Sequence, residues 1–314
     1  MKSVFLGSPP FATPVFERLV RSRHRPIALV GLPDRPKGRG RAVEESELVR
    51  AAREAGIAVF QPANPHDEAF LGDLRALKPD VLVVASYGVI LKPALLDLAP
   101  GGALNVHGSL LPRWRGASPI QAALLAGDAT TGVSIQRIVL ALDEGDVVLA
   151  KERAIGERDT AGDLFRDLAL LGGEALVEAL DRVEDGTAVF EKQDPARATY
   201  ARKLRKEHGA IDWTKDARAI ERQVRAMNPW PLARCVDPRG RELSVLEARV
   251  VPGRGEPGEV LEAGSRFVVA CGEGALELAT LTPAGKKPMS GSEFLRGARI
   301  EAGERVTAPA GDRP

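Results

Sequence analysis

Apolar and polar positions follow two different rhythms along the chain. Over the first 189 residues, short apolar runs alternate with stretches of helical period. Ser3-Val4-Phe5-Leu6 reads as a buried strand that turns at Gly7-Ser8-Pro9 into a helix with apolar positions Phe11, Val15, Leu19 and Val20. Residues 26–31 and 57–60 are expected as further strands, and residues 47–54 and 67–77 as further helices. Residues 80–86, Asp-Val-Leu-Val-Val-Ala-Ser, are the most apolar and β-branched run of the chain. No polar position interrupts its centre, which predicts a central parallel strand buried on both faces. Residues 131–138 alternate like a half-buried strand and residues 147–150 return beside them. Thr160-Ala161-Gly162-Asp163 has the form of a capping box with Asp in place of Glu, opening a long amphipathic helix that runs to about Arg182. Strands that alternate with helices in this way predict an α/β domain, a Rossmann-like open sheet, over residues 1–189.

The second rhythm begins after a break. Residues 190–206 mix Pro, Ala, Thr and Arg with little periodicity and are expected as a linker. From 207 to 314, one short helix at 217–226 precedes β-rich pieces at 243–251, 258–261, 266–271 and 275–281, each bounded by Gly or Pro turns. That spacing predicts a small β-barrel as a second domain. Residues 308–314 are expected to fray.

Composition narrows the class without selecting a partner. The chain carries 44 basic and 43 acidic residues, so overall charge favours neither nucleic acid nor a membrane surface. From Glu191 onward there are 22 Lys and Arg against 18 Asp and Glu, a modest basic bias that suits phosphate contact. The two cysteines, Cys235 and Cys271, form no C-x-x-C and have no His at ligand spacing. A disulfide framework and a metal site are therefore not expected, and the cytoplasm is the expected compartment. No run approaches the roughly 18 apolar residues of a membrane helix, so no membrane association is expected. The first strand is not followed by G-x-G-x-x-G, which disfavours a nicotinamide enzyme.

The candidate chemistry lies in one stretch. Gly102-Ala103-Leu104 runs into Asn105-Val106-His107-Gly108, and alternation puts Asn105 and His107 on the same side of a strand end. Pro112, Arg113 and Arg115 cannot continue a buried strand, and Gly116 to Pro119 reads as a turn into a helix carrying Ile120, Ala122, Ala123 and Leu124. A carboxamide and an imidazole then share the carboxyl end of a strand, where open α/β sheets bind ligands. On its own N-x-H is a weak signal, and Leu142-Asp143-Glu144-Gly145-Asp146 alone is good turn sequence.

Taken together, N-x-H-G-S-L-L-P-R-W-R-G-A-x-P-I and L-D-x-G-D about forty residues later resemble the 10-formyltetrahydrofolate-dependent formyltransferases. The resemblance covers nearly the whole chain. It implies Asn105, His107 and Asp143 as catalytic residues, 10-formyltetrahydrofolate as co-substrate, no metal, and an OB-like second domain. It further implies folate contacts at Ser109, Leu110, Leu111 and Pro112 and, from the segment after the central strand, at Tyr87, Gly88, Val89 and Ile90; core packing is the alternative for the side chains of this segment. Pro33-Asp34-Arg35-Pro36-Lys37-Gly38-Arg39-Gly40 resembles the loop that the members acting on methionyl initiator tRNA insert at the acceptor end, which implies a tRNA contact at Arg39. Lys206, Lys286 and Lys287 lie in segments that the same resemblance puts near RNA, and Arg113 and Arg115 are open to reading as phosphate or folate-glutamate ligands or as salt-bridged surface residues. No obligate protein partner is implied.

Formyl transfer between amines needs donors for a developing oxyanion and a means of moving protons. Asn105 supplies a neutral donor, and His107, if held cationic by Asp143, a stronger one. No side-chain nucleophile is required, so direct aminolysis through a tetrahedral intermediate is expected. Two alternatives stand beside this reading: a formyltransferase for a small amine such as glycinamide ribonucleotide or an amino-sugar nucleotide, and a non-catalytic relative that binds RNA or folate.

Overall fold

The structure, a computed structural model, describes residues 1–34, 36–37 and 42–309. Arg39 lies outside the described residues. Contacts divide the chain into two compact units, and the division is not a single cut. Unit 1 comprises residues 1–119, 130–154 and 165–201, and unit 2 residues 120–129, 155–164 and 202–314.

In chain order, the elements of unit 1 are β1 (Ser3–Gly7), α1 (Ala12–Val20), β2 (Ala28–Val30), β3 (Pro36–Lys37), β4 (Ala42–Val43), α2 (Glu47–Glu54), β5 (Ala58–Phe60), α3 (Glu68–Ala76), β6 (Val81–Ala85), α4 (Pro93–Leu96), β7 (Ala103–His107) and β8 (Arg115–Gly116). After α5 (Pro119–Ala126), which falls mostly in unit 2, come β9 (Thr130–Arg137), β10 (Val147–Ala154), α6 (Ala161–Glu184) and β11 (Tyr200–Ala201). Seven strands make one sheet in the order β10-β9-β7-β6-β1-β2-β5. The five strands from β7 to β5 are parallel, whereas β9 and β10 run antiparallel to their neighbours. β6 is central and all five of its residues are buried, as its unbroken apolar run predicts.

Alternation sorts the side chains of these strands between two layers. Val4, Leu6, Leu82, Val84 and Ala103 join Phe70, Leu71, Leu74 and Leu95 of α3 and α4 in one core. On the other face Phe5 meets Phe16 of α1 edge to face at 5.2 Å. Asn105 and His107 follow Ala103 at alternate positions, so β7 aims them to the α3 and α4 side. β1 leads outward to β2 on one side and to β6 on the other, and such a switch leaves a crevice at the strand ends. There the Ser8 hydroxyl donates to the Ser86 carbonyl, tying the ends of β1 and β6. The reciprocal cap expected at α6 is present: Asp163 N donates to Thr160 Oγ1 at 3.2 Å and Thr160 N to Asp163 Oδ2 at 3.1 Å, an arrangement that stabilises a helix start by about 1 kcal/mol.

The stretch expected as a linker behaves differently over its first half. Glu191 exchanges both backbone bonds with Val147, each at 2.9 Å. Thr199 O accepts from Arg115 N at 2.8 Å, and β11 pairs in parallel with β8. Backbone bonding, which leaves no mark in hydrophobic periodicity, makes residues 191–201 a strap on unit 1.

Unit 2 contains α7 (Ala217–Met227), β12 (Ala233–Val236), β13 (Glu242–Val251), β14 (Val260–Ala263), β15 (Phe267–Ala270), β16 (Ala275–Pro283), β17 (Met289–Ser290) and α8 (Gly291–Ala298). Its strands form an antiparallel sheet in the order β12-β13-β16-β15-β14, with β17 on β16. Residues 305–307 pair with Glu259 beside β14 and with Val236 in β12, which bridges the two edge strands and closes the barrel. Ile211, Trp213, Ile220, Val224, Leu243, Val269 and Leu278 fill the interior, and Phe267 stacks on Phe294 at 6.0 Å. Among the described residues no helix is long and apolar enough to cross a membrane.

Candidate active site

The end of β7 brings together the three residues that the motif singled out. Asn105 is half-buried, and among the described residues its carboxamide has no hydrogen-bond partner, which leaves its amide free to serve a ligand. His107 is 6% exposed. Its Nε2 lies 3.0 Å from the Trp114 carbonyl oxygen. A carbonyl only accepts, so Nε2 carries a hydrogen and the ring is oriented by that bond. The other ring nitrogen, Nδ1, lies 3.7 Å from Asp143 Oδ1. This is too long for a hydrogen bond and short enough for strong charge interaction in a poorly hydrated site.

Asp143 sits in the turn between β9 and β10 with φ 53°, left-handed backbone that a non-glycine residue rarely adopts. Both carboxylate oxygens are anchored. Oδ2 accepts from Gly116 N and Oδ1 from Gln136 Nε2, each at 2.8 Å. Two glycines permit the approach: a Cβ on Gly145 would meet the Arg137 carbonyl oxygen at 1.7 Å, and one on Gly116, at φ 111°, the Ala201 carbonyl oxygen at 2.6 Å. Trp114, which supplies the acceptor for His107, is also left-handed at φ 62°, and its N–H donates to Thr199 Oγ1 at 2.9 Å.

The loop after β7 is fastened from beneath. Ser134, fully buried in β9, donates to the Ser109 carbonyl at 2.8 Å and accepts from Leu111 N at 3.0 Å. The Ser109 hydroxyl itself donates to the Arg113 carbonyl at 2.6 Å. Ser109 is therefore wholly buried and its side chain serves the loop, while Leu110, Leu111 and Pro112 are half-buried and reachable. In the segment after β6, Tyr87 is 2% exposed and belongs to the core, with its hydroxyl lacking a partner and burial pushing the phenol up to about 12. Val89 packs at the edge of that core, Gly88 is exposed at φ 79°, and Ile90, expected to serve the core as well as the folate, is 83% exposed.

Arg115 is salt-bridged, as one of its readings had it, but buried and not on the surface. It is 3% exposed, its Nε donates to Gln193 Oε1 at 3.0 Å, and its Nη1 is 3.1 Å from Glu144 Oε1. Arg115 and Gly116 pair with the strap as β8. Arg113 lies with its guanidinium 4.4 Å over the Trp114 ring. Gln136, Gln193, Ser134 and Thr199 were not singled out from the sequence. For Gln136 and Ser134 a signal existed, two polar residues in an apolar strand; for Gln193 and Thr199 there was none. Lys206, Lys286 and Lys287 are exposed on unit 2 and apart from this constellation in the chain.

Ile90, Leu140 and Leu142 are 83%, 72% and 66% exposed on the loops that follow β6 and β9, the two neighbours of β7.

Residues 1–180 match the formyl transferase family and residues 203–299 the formyl transferase C-terminal domain. The methionyl-tRNA formyltransferase of Anaeromyxobacter dehalogenans is 50% identical over 285 residues, 89% of this chain and 91% of that one. That of Magnetococcus marinus is 43% identical over 304 residues, 96% and 97% of the two chains. Among solved structures, the N-formyltransferase from Helicobacter canadensis superposes with a TM-score of 0.66 at 18% identity, covering 88% of this chain and 98% of that one. HypX from Aquifex aeolicus gives 0.63 at 20% identity over 95% of this chain, which spans about half (48%) of that protein. The structural likenesses, at such low identity, show a shared fold. The matched domains and the extent of identity with the curated relatives establish that the chain belongs to the methionyl-tRNA formyltransferase branch of the formyltransferase family.

Proposed function

We propose that the protein transfers the formyl group of 10-formyltetrahydrofolate to the α-amino group of methionyl initiator tRNA, by direct aminolysis and in the cytoplasm, with Asn105, His107 and Asp143 as catalytic residues. The observation that carries this reading is the convergence at the end of β7 of an unpartnered carboxamide and an imidazole whose Nδ1 faces a doubly anchored carboxylate at 3.7 Å. When bound, the folate supplies an activated formyl group on N10. Asn105 donates to the formyl oxygen as negative charge develops on it. His107 holds and moves a proton at Nδ1, because Nε2 is committed to the Trp114 carbonyl. Asp143 stabilises the imidazolium without taking its proton. The two cysteines are buried and unbonded to each other, so neither serves as a nucleophile, and both suit a reducing compartment. Leu110, Leu111, Pro112 and Ile90 cover the ring of the folate, with backbone groups of Gly88 and Val89 at its edge. Lys206, Lys286 and Lys287 neutralise tRNA phosphates.

The test is incubation of the protein with 10-formyltetrahydrofolate and methionyl initiator tRNA. One formyl group per aminoacyl end is expected, with release of one tetrahydrofolate. A folded protein that yields no formylated aminoacyl-tRNA under these conditions would contradict the assignment.

A further inference from the structure

The structure assigns to Gln193 and Gln136 a joint role as positioning residues: a directed pair of amides, oriented by Arg115, that sets the Asp143 turn for catalysis. The inference rests on the reading of Asp143 as catalytic. Arg115 Nε only donates, so Gln193 must turn its Oε1 toward it, at 3.0 Å. Gln193 Nε2 then faces the carbonyl oxygens of Asp143 at 2.8 Å and Gly145 at 2.7 Å, and Gln136 Oε1 at 3.3 Å. With its oxygen toward Gln193, Gln136 turns Nε2 to the Asp143 carboxylate at 2.8 Å. Each amide has one orientation that suits its neighbours: Arg115 fixes Gln193, whose two N–H groups serve the two turn carbonyls and share the longer contact to Gln136, and the accept-only carboxylate fixes Gln136 in the complementary sense.

Three features make this more than packing. Asp143 holds left-handed backbone at φ 53°, which costs free energy that local bonds must offset. Gln193 grips the turn at both Asp143 and Gly145, on either side of Glu144, whose side chain is held by the same Arg115. And Gln193 arrives from the strap of residues 191–201, so docking of that strap and presentation of the carboxylate are one event. If Gln193 lost its amide, the carbonyls of Asp143 and Gly145 would lose their donor and the turn that presents the carboxylate would loosen, although Gln136 Nε2 still faces Asp143 Oδ1.

The experiment compares wild type with Gln193→Glu, Gln193→Ala, Gln136→Ala and the double variant Gln136→Ala/Gln193→Ala in kcat, in KM for each substrate, in thermal midpoint, and in hydrogen exchange of the Gly116 amide and the 138–146 turn. Gln193→Glu keeps the shape and replaces the donor with an acceptor, so a space-filling role would spare it. We expect kcat of Gln193→Glu to fall at least about tenfold with both KM values within twofold, and exchange at Gly116 and the turn to rise at least about tenfold. The double variant should lose no more than about twofold beyond the worse single variant, since both break one chain. A Gln193→Glu protein with wild-type kcat and unchanged exchange overturns the inference, as do losses that multiply in the double variant. If the wild type itself transfers no formyl group, the functional assignment fails, and exchange alone decides whether the two amides order the turn.

Discussion

Replacing Asp143 by Asn keeps the size of the side chain and removes its charge, which isolates what the carboxylate contributes. In the wild type its two oxygens accept from Gly116 N and Gln136 Nε2, and Oδ1 lies 3.7 Å from His107 Nδ1. A unit charge pair at that distance is worth about 4 kcal/mol at an effective dielectric of about 20, and about 2 kcal/mol where water doubles the screening. With tenfold in rate for each ~1.4 kcal/mol, the loss of support for a cationic His107 lowers kcat by about thirtyfold to seven-hundredfold. Asn also sets an NH₂ against one of the two donors, at a cost to stability of about 1–3 kcal/mol. Single-turnover quench-flow with methionyl initiator tRNA and 10-formyltetrahydrofolate prebound reads the chemical step, and a melting curve confirms folding. KM for each substrate should stay within about threefold. A folded Asp143→Asn protein whose single-turnover rate is within fivefold of wild type would refute the argument that this charge acts on the transition state.

Asn105→Ala should lower kcat by about a hundred- to a thousandfold, the range for one oxyanion donor, with little change in folate binding by fluorescence titration; a loss in binding alone would reassign it to the ground state. Tyr87→Phe should leave kcat and the folate KM unchanged, because the hydroxyl is buried without a partner, whereas a raised KM would make that hydroxyl a ligand contact. Its phenol is pushed up to about 12 by burial against about 10 in the unfolded chain, so ionisation favours unfolding as pH rises from 10 to 12. Wild type should lose about 1.4 kcal/mol per pH unit there relative to Tyr87→Phe, and equal slopes in denaturant melts would contradict this. Charge reversal at Lys206, Lys286 and Lys287 should raise the tRNA KM and reduce the slope of log K against log salt by roughly 0.7–0.9 for each true phosphate contact. An unchanged slope would make all three solvated surface residues.

Strong periodicity carried the fold well. β6, β7, β9, α2 and α3 stand where the apolar spacing puts them, because each buries a continuous face, and the cap of α6 stands where Thr160 and Asp163 put it. The elements that escaped were those whose stability comes from elsewhere. Residues 305–307 close the barrel through backbone pairing with Val236 and Glu259, and the strap at 191–201 is held by backbone and amide bonds, so neither carries an apolar rhythm. At the site, Asn105, His107 and Asp143 were legible from motif and spacing. Their supports were not: Gln193 approaches from 50 residues beyond Asp143, and Trp114 acts through its carbonyl, a group every residue has. The side chains of Tyr87 and Ser109 turn inward, one to complete an apolar core, which was one of its two readings, and the other to close its own loop. Arg115 is buried for a reason that charge alone hides, since Gln193 and Glu144 satisfy its guanidinium.

The central claim, that this constellation formylates the amine of a charged tRNA, is tested most directly by acceptor choice. Comparing kcat/KM for methionyl initiator tRNA, glycinamide ribonucleotide and an amino-sugar nucleotide, at one concentration of 10-formyltetrahydrofolate, should give a preference for the tRNA of at least about a thousandfold, equivalent to ~4 kcal/mol of differential transition-state binding. A higher kcat/KM for either small amine would contradict the account.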